Sequence, residues 1–198
     1  MHSQPKPRFL LISQPNSYRI APYIKAAQRM GLEVLIASCG KHSLITEVHA
    51  GIHIDLDDIS SALKIILAEA NRQPFVGILG SDDSTVELAA TAAAALNLPH
   101  NPAEAAQISC RKDLARCELS LGGAAVPINC LVDLDKPAEK QMAGLPWPCV
   151  VKPLNMSASR GVIRANNEQE FIDACARTQK IIEHSADEFE RSHVLVEA

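Results

Sequence analysis

Lys152 is the residue in this chain best placed to do chemistry. It ends the apolar run Cys149-Val150-Val151, and Pro153 then fixes the direction of the backbone and removes a donor. A small polar loop follows, Leu154 to Ser159, closed by Arg160 and Gly161 before a second apolar stretch leaves from Val162. Ser157 and Ser159 offer hydroxyls, Arg160 a guanidinium, and Gly161 the freedom for a tight exit. A fixed ammonium beside loop hydroxyls and amides suits a phosphate, which the cation neutralises while the loop donates. A solvated lysine at the end of a strand and an ordinary surface hairpin are the plainer readings of the same residues.

Other chemistry-bearing groups are more ambiguous. Lys112 and Arg116 lie four apart on a helical pattern, where exposure to solvent is the default. They gain meaning only if that helix packs beside the Lys152 loop. Asp82 and Asp83 follow an apolar run and open a helix. They could face a ligand at the carboxyl end of a parallel sheet, or Asp82 or Ser81 could simply cap the helix. Gln14-Pro15-Asn16-Ser17-Tyr18 occupies the matching place after the first apolar run. It carries no G-x-G-x-x-G, which argues against dinucleotide binding. His49 and His53 have a metal-like spacing, but Gly51 lies between them in an extended segment, so no metal site is expected.

Alternating apolar runs and amphipathic stretches must position these groups. Strands are predicted over 9–13, 33–38, 51–56 and 75–80. Helices are predicted over 17–30 (Ser17 as N-cap, Gly31 as C′), from Asp57 or Asp58 to 71, and over 84–96. In the 57–71 helix Leu63, Ile66, Leu67 and Ala70 share a face. This order implies βαβ units and a parallel sheet. After Pro99-His100-Asn101-Pro102 the pattern changes. One long helix is expected over 103–121, with Cys110, Leu114, Cys117 and Leu121 on one face and Gly122-Gly123 ending it. Strands at 128–132, 148–154, 162–165 and 193–197 and a helix at 168–182 then suggest a smaller antiparallel α+β unit.

Composition bounds the partners. The chain has 198 residues, 47% hydrophobic and 21% charged, room for one large or two small domains. A net charge of −4 with 4% aromatics gives no basic stacking surface, so nucleic acid is excluded as an expected partner. No apolar run is long enough for a membrane span. Residues 1–8 lack a signal-peptide core. The six cysteines have no paired short spacing, which predicts reduced, buried thiols in a cytoplasmic protein.

Taken in order, these features resemble the N-terminal half of an ATP-grasp enzyme, near the biotin carboxylase and carboxylate–amine ligase branch. The segments carrying the resemblance are Arg111-Lys112 and Arg116, then Gly123 to Pro127, Val151-Lys152-Pro153 with its 157–162 loop, and Val194-Leu195-Val196-Glu197. It is most specific from Lys112 to Gly161 and at Glu197. The resemblance implies a Rossmann-like parallel-sheet pre-ATP-grasp domain over 1–103 and a lysine-bearing small ATP-grasp subdomain over 104–198. It implies that Lys112 and Lys152 contact the nucleotide phosphates and that the 155–161 loop, with Ser157, Ser159, Arg160 and its single Gly161, folds over them. Glu197 then leads to the hinge that meets adenine. The implied reaction is ATP-driven activation of a small carboxylic acid as an acyl phosphate, attacked by an amine or similar nucleophile. No catalytic or metal-ligating residue is assigned, since in the family magnesium is held by a second subdomain that would follow Glu197. The chain is therefore expected to be a fragment, to bind ATP weakly at most and not to turn over alone. The competing expectation is a non-catalytic binding module that forms a homodimer through an exposed last strand.

Overall fold

The computed structural model describes residues 6–15, 17–39, 51–142 and 144–198. His49 and Asn16 lie outside them. The chain divides into two compact units, Met1–Gln107 and Ile108–Ala198.

In the first unit β1 (Arg8–Ile12), β2 (Glu33–Ser38), β3 (Gly51–His53) and β4 (Phe75–Gly80) form a parallel sheet in the order β3-β2-β1-β4. Leu10 to Ile12 and Leu35 to Ala37 are buried without a break, the signature of strands covered on both faces. Leu11, Val34 and Ile36 pack with Ile20 and Ala27 of α1 (Ile20–Arg29). Leu10, Ile12, Leu35 and Ala37 pack with Ile66 of α2 (Ile59–Arg72) and Leu88 of α3 (Val86–Ala95). Asp58 caps α2 by accepting from the Ser61 N–H at 3.0 Å. Gly31, at φ +73°, ends α1 as expected: its N–H reaches Gln28 O and the Leu32 N–H reaches Ala27 O.

Three local expectations fail here. Ser17 is not the N-cap of α1, which starts three residues later, because the Ser17 hydroxyl donates instead to Asp82 Oδ1 at 2.9 Å. The long 103–121 helix is two helices, α4 (Ala103–Cys110) and α5 (Lys112–Leu121). Arg111 between them is extended, at φ −106° and ψ 109°. The Lys112 N–H has left the helical ladder for Leu154 O at 2.9 Å. Nor is the expected apolar face a packed one: α5 buries no residue, and Leu114 and Leu121 are exposed.

The second unit is an antiparallel sheet of β5 (Asn129–Asp133), β6 (Cys149–Pro153), β7 (Ile163–Ala165) and β8 (His193–Glu197), in the order β5-β8-β6-β7. The last strand is not an exposed edge. It lies between β5 and β6, bonded on both sides and buried from Val194 to Glu197. That removes the edge through which dimerisation was expected. α6 (Glu168–Ile182), capped by Asn167, lays Phe171, Ala174, Cys175 and Ile182 on one face of the sheet. A short helix that the sequence pattern did not predict, α7 (Glu188–Ser192), precedes β8. None of the six cysteines forms a disulfide, and Cys149 and Cys175 are buried, but Cys117 is exposed, against the expectation of buried thiols throughout. Among the described residues no helix is long and apolar enough to cross a membrane.

Candidate functional site

Strand alternation decides which side chains of the second unit remain available. Val151 and Val196 are register partners and face α6. Their neighbours Lys152 and Glu197 therefore share the opposite face, and the pairing of Lys152 with Leu195 and of Val150 with Glu197 makes them diagonal neighbours. Lys152 Nζ donates to Glu197 Oε2, and Arg116 Nε donates to Glu197 Oε1 at 2.8 Å. Glu197 is 8% exposed. Burial alone would push its carboxyl up, yet the hydrogen bonds from Lys152 and Arg116 outweigh that and hold it below its ordinary value. The carboxylate is ionised and shared between two cations.

Lys112 lies one helical turn before Arg116 on α5. Its ammonium donates to Met156 O at 2.7 Å and reaches Leu154 O at 3.4 Å, while its backbone N–H also holds Leu154 O. Lys112 thus grips the root of the loop that Lys152 introduces. The tip, 157–160, is exposed. It turns through Ala158 at φ +55° and Ser159 at φ +58°, with the Arg160 N–H on Ser157 O and the Val162 N–H on Ser159 O. Among the described residues the hydroxyls of Ser157 and Ser159 make no hydrogen bond. Gly161, at φ +72°, ends the loop so close to Pro153 that a Cβ would lie 2.7 Å from its Cγ.

The structure therefore sets Lys152 and Glu197 as diagonal neighbours on one face of β6 and β8, places Lys112 on the carbonyls just past β6, and puts Ser157, Ser159 and Arg160 on an exposed flap that Gly161 closes. The spacing of Lys112 and Arg116 hinted at a shared role, but that Arg116 would meet Glu197 needed the fold. Asn155 and Arg111 stood in segments that carried the resemblance, but nothing in the sequence tied them to Glu190 of α7, which left no signal. Lys152 and Arg116 share one carboxylate here while Lys112 sits on the flap-root carbonyls, a set of cations that suits an anion with several oxygens.

In the first unit, Asp82 resolves to the capping reading. It closes a capping box with Thr85 and accepts from Ser81 Oγ at 2.6 Å, Ser17 Oγ at 2.9 Å and the Gln14 N–H at 3.3 Å. Burial would raise its carboxyl, but these donors bring it below its ordinary value. It fastens the loop after β1 to the loop after β4. Among the described residues no group of three or more His, Cys, Asp or Glu side chains is placed to hold a metal.

Two family models match the chain: the ATP-grasp N-terminal domain over residues 24–100, and an ATP-grasp domain over residues 145–198. The second stretch contains Lys152, the flap and Glu197, whereas Lys112 and Arg116 fall between the two. No curated protein matches in sequence. Among solved structures, L-amino acid ligase from Bacillus licheniformis is similar at 22% identity and TM-score 0.70 over 98% of this chain and 44% of that one. N5-carboxyaminoimidazole synthetase from Staphylococcus aureus, complexed with ADP, is similar at 18% identity and TM-score 0.69 over 97% and 48%. The biotin carboxylase domain of the Hydrogenobacter thermophilus 2-oxoglutarate carboxylase, in complex with MgADP, ADP and bicarbonate, is similar at 16% identity and TM-score 0.65 over 98% and 44%. The chain thus spans about half the length of these proteins.

Proposed function

We propose, for a chain that belongs to the ATP-grasp superfamily, that its second unit holds the polyphosphate of ATP within an ATP-dependent ligase. The ligase activates a small carboxylic acid as an acyl phosphate for attack by an amine or similar nucleophile. On this reading residues 1–103 are the pre-ATP-grasp domain and residues 104–198 the lysine-bearing small subdomain. The observation that carries it is the pairing of Lys152 and Arg116 on one buried carboxylate, with Lys112 on the carbonyls at the root of a serine-bearing flap.

The nucleotide supplies the phosphoryl group that turns a carboxylate oxygen into a leaving group. The chain's residues position and neutralise. Lys152 is pre-oriented by Glu197, so its ammonium costs little further ordering when an anion arrives. Lys112 holds the flap-root carbonyls and adds its positive charge to the site. Ser157, Ser159 and Arg160 add donors from above, and Gly161 keeps the flap in register with Pro153. Glu197 brings its backbone, not its occupied carboxylate, toward the base. Magnesium does not fit the acidic residues present: Glu197 is taken by two cations, and among the described residues no acidic cluster accompanies it. No step is assigned to a metal here, and turnover by these 198 residues alone is not expected.

Calorimetric titration with ADP tests the reading. Lys152→Met and Lys112→Met should each weaken binding at least about tenfold, roughly 1.4 kcal/mol. Unchanged affinity in both variants would remove the nucleotide assignment.

A further inference from the structure

Helix α7 is five residues long and buries no side chain, yet it is fastened on every side. Asp187 caps it through the Glu190 N–H at 2.9 Å, and Arg191 Nη1 donates to Ser185 O at 2.7 Å and to Ala186 O at 3.0 Å. Phe189 stacks on His193 with centroids 4.0 Å apart and lies 5.4 Å beneath the Arg111 guanidinium. At its centre Glu190, its side chain 11% exposed, collects three donors. Asn155 Nδ2 comes from the flap root, Ser185 Oγ lies at 3.0 Å, and Arg111 Nη1 at 3.7 Å. Arg111 is itself held by the Asp113 carboxylate at 3.0 and 2.9 Å, and Asp113 follows Lys112 on α5. The carboxylate therefore joins the residue before Lys112 to the residue between Leu154 and Met156, whose carbonyls Lys112 grips.

We propose that Glu190 is a positioning residue for the flap: through Asn155 and Arg111 it fixes the flap root against the start of α5, leaving only 157–160 free to close over a bound polyphosphate. This rests on the reading of the loop as a nucleotide cover. The physical gain is entropic. Closure orders four residues between a fixed root and the Gly161–Pro153 contact, not the whole connection between β6 and β7. Asn155 is the specific handle, because a neutral amide donor suits the carboxylate and an aspartate there would repel it.

Hydrogen exchange on the full chain, with and without ADP, tests this. In Glu190→Ala and in Asn155→Asp the amides of 155–161 should exchange at least tenfold faster, while those of β6 and β8 keep their rates. ADP affinity should fall several-fold in both variants. The double variant Asn155→Asp/Glu190→Gln, which restores one donor facing one carboxylate, should recover most of both losses. Unchanged exchange at 155–161, an equal loss of protection in β6 and β8, or no recovery in the double variant would overturn the positioning role. Failure of the wild-type chain to bind ADP would count against the proposed function instead, and the exchange arm alone would then decide whether Glu190 sets the flap root.

Discussion

Glu197 concentrates more of the second unit's electrostatics than any neighbour, because it is the one acceptor between Lys152 and Arg116. Glu197→Ala would leave two cations unpaired in a half-buried place. We expect a loss of about 2–3 kcal/mol in urea denaturation, below the usual cost of breaking a fully buried pair because Arg116 keeps about a quarter of its surface in water. The pH dependence follows from the direction of the shift. The folded carboxyl lies below its ordinary value of 4.5, so the unfolded chain takes up the proton first. The stabilisation is full above pH 4.5 and is lost as pH falls from there through the folded value. Glu197→Gln should flatten that acid limb in a denaturation series. Gly161→Ala combines a left-handed φ with a 2.7 Å approach to Pro153 and should cost about 1–3 kcal/mol in the same measurement. Among the thiols, burial pushes Cys175 up to about 12, whereas Cys117 is exposed. Iodoacetamide at pH 8 should label Cys117 at once and Cys175 only on unfolding. Lys152 was legible as a candidate because a charged residue at the end of an apolar strand stands out, whereas Lys112 on its helix gained a role only through the family resemblance. Their partners were not, since ion pairs between Arg116 and Glu197 depend on packing that no local pattern encodes.

At the scale of elements, α6 does most to hold the second sheet. Phe171 is fully buried among Val132, Val151 and Val196, so Phe171→Ala should cost about 3–5 kcal/mol. A chemical denaturation midpoint lowered by much less would mean that the site collapses to fill the gap. The bounds of α6 were readable to the residue because an Asn cap, an acidic first turn and a steady apolar face agree. The break between α4 and α5 was not readable. No glycine or proline marks it, and its cause is a tertiary hydrogen bond from the Lys112 N–H to Leu154 O. Helix α7 escaped notice because five residues show no periodicity, and Asp187 was its only start signal. The exposure of Leu114 and Leu121 shows the same limit from the other side: a periodic apolar stripe states that a face is available for burial, not that something covers it.

On the scale of the molecule, the two units differ in how they use their sheets. The first covers both faces of a parallel sheet with helices and uses the Asp82 carboxylate to tie loops together. The second covers one face with α6 and leaves the other to carry Lys152 and Glu197. Each has its own core, so Phe171→Ala should lower hydrogen-exchange protection in β5, β6 and β8 and leave β1 and β2 protected; equal losses in both units would contradict separate cores. The class of each sheet was legible from its strand patterns, but the order β5-β8-β6-β7 was not, since nothing local says that the last strand enters the middle. That insertion governs when the protein can mature. β5 has no strand partner, and β6 only β7, until residues 193–197 are made, because β8 is the strand that joins them. During synthesis the first parallel sheet can assemble while the later segment is still waiting for its keystone. A nascent chain arrested short of residue 193 should therefore present a protease with one resistant body and a long susceptible tail.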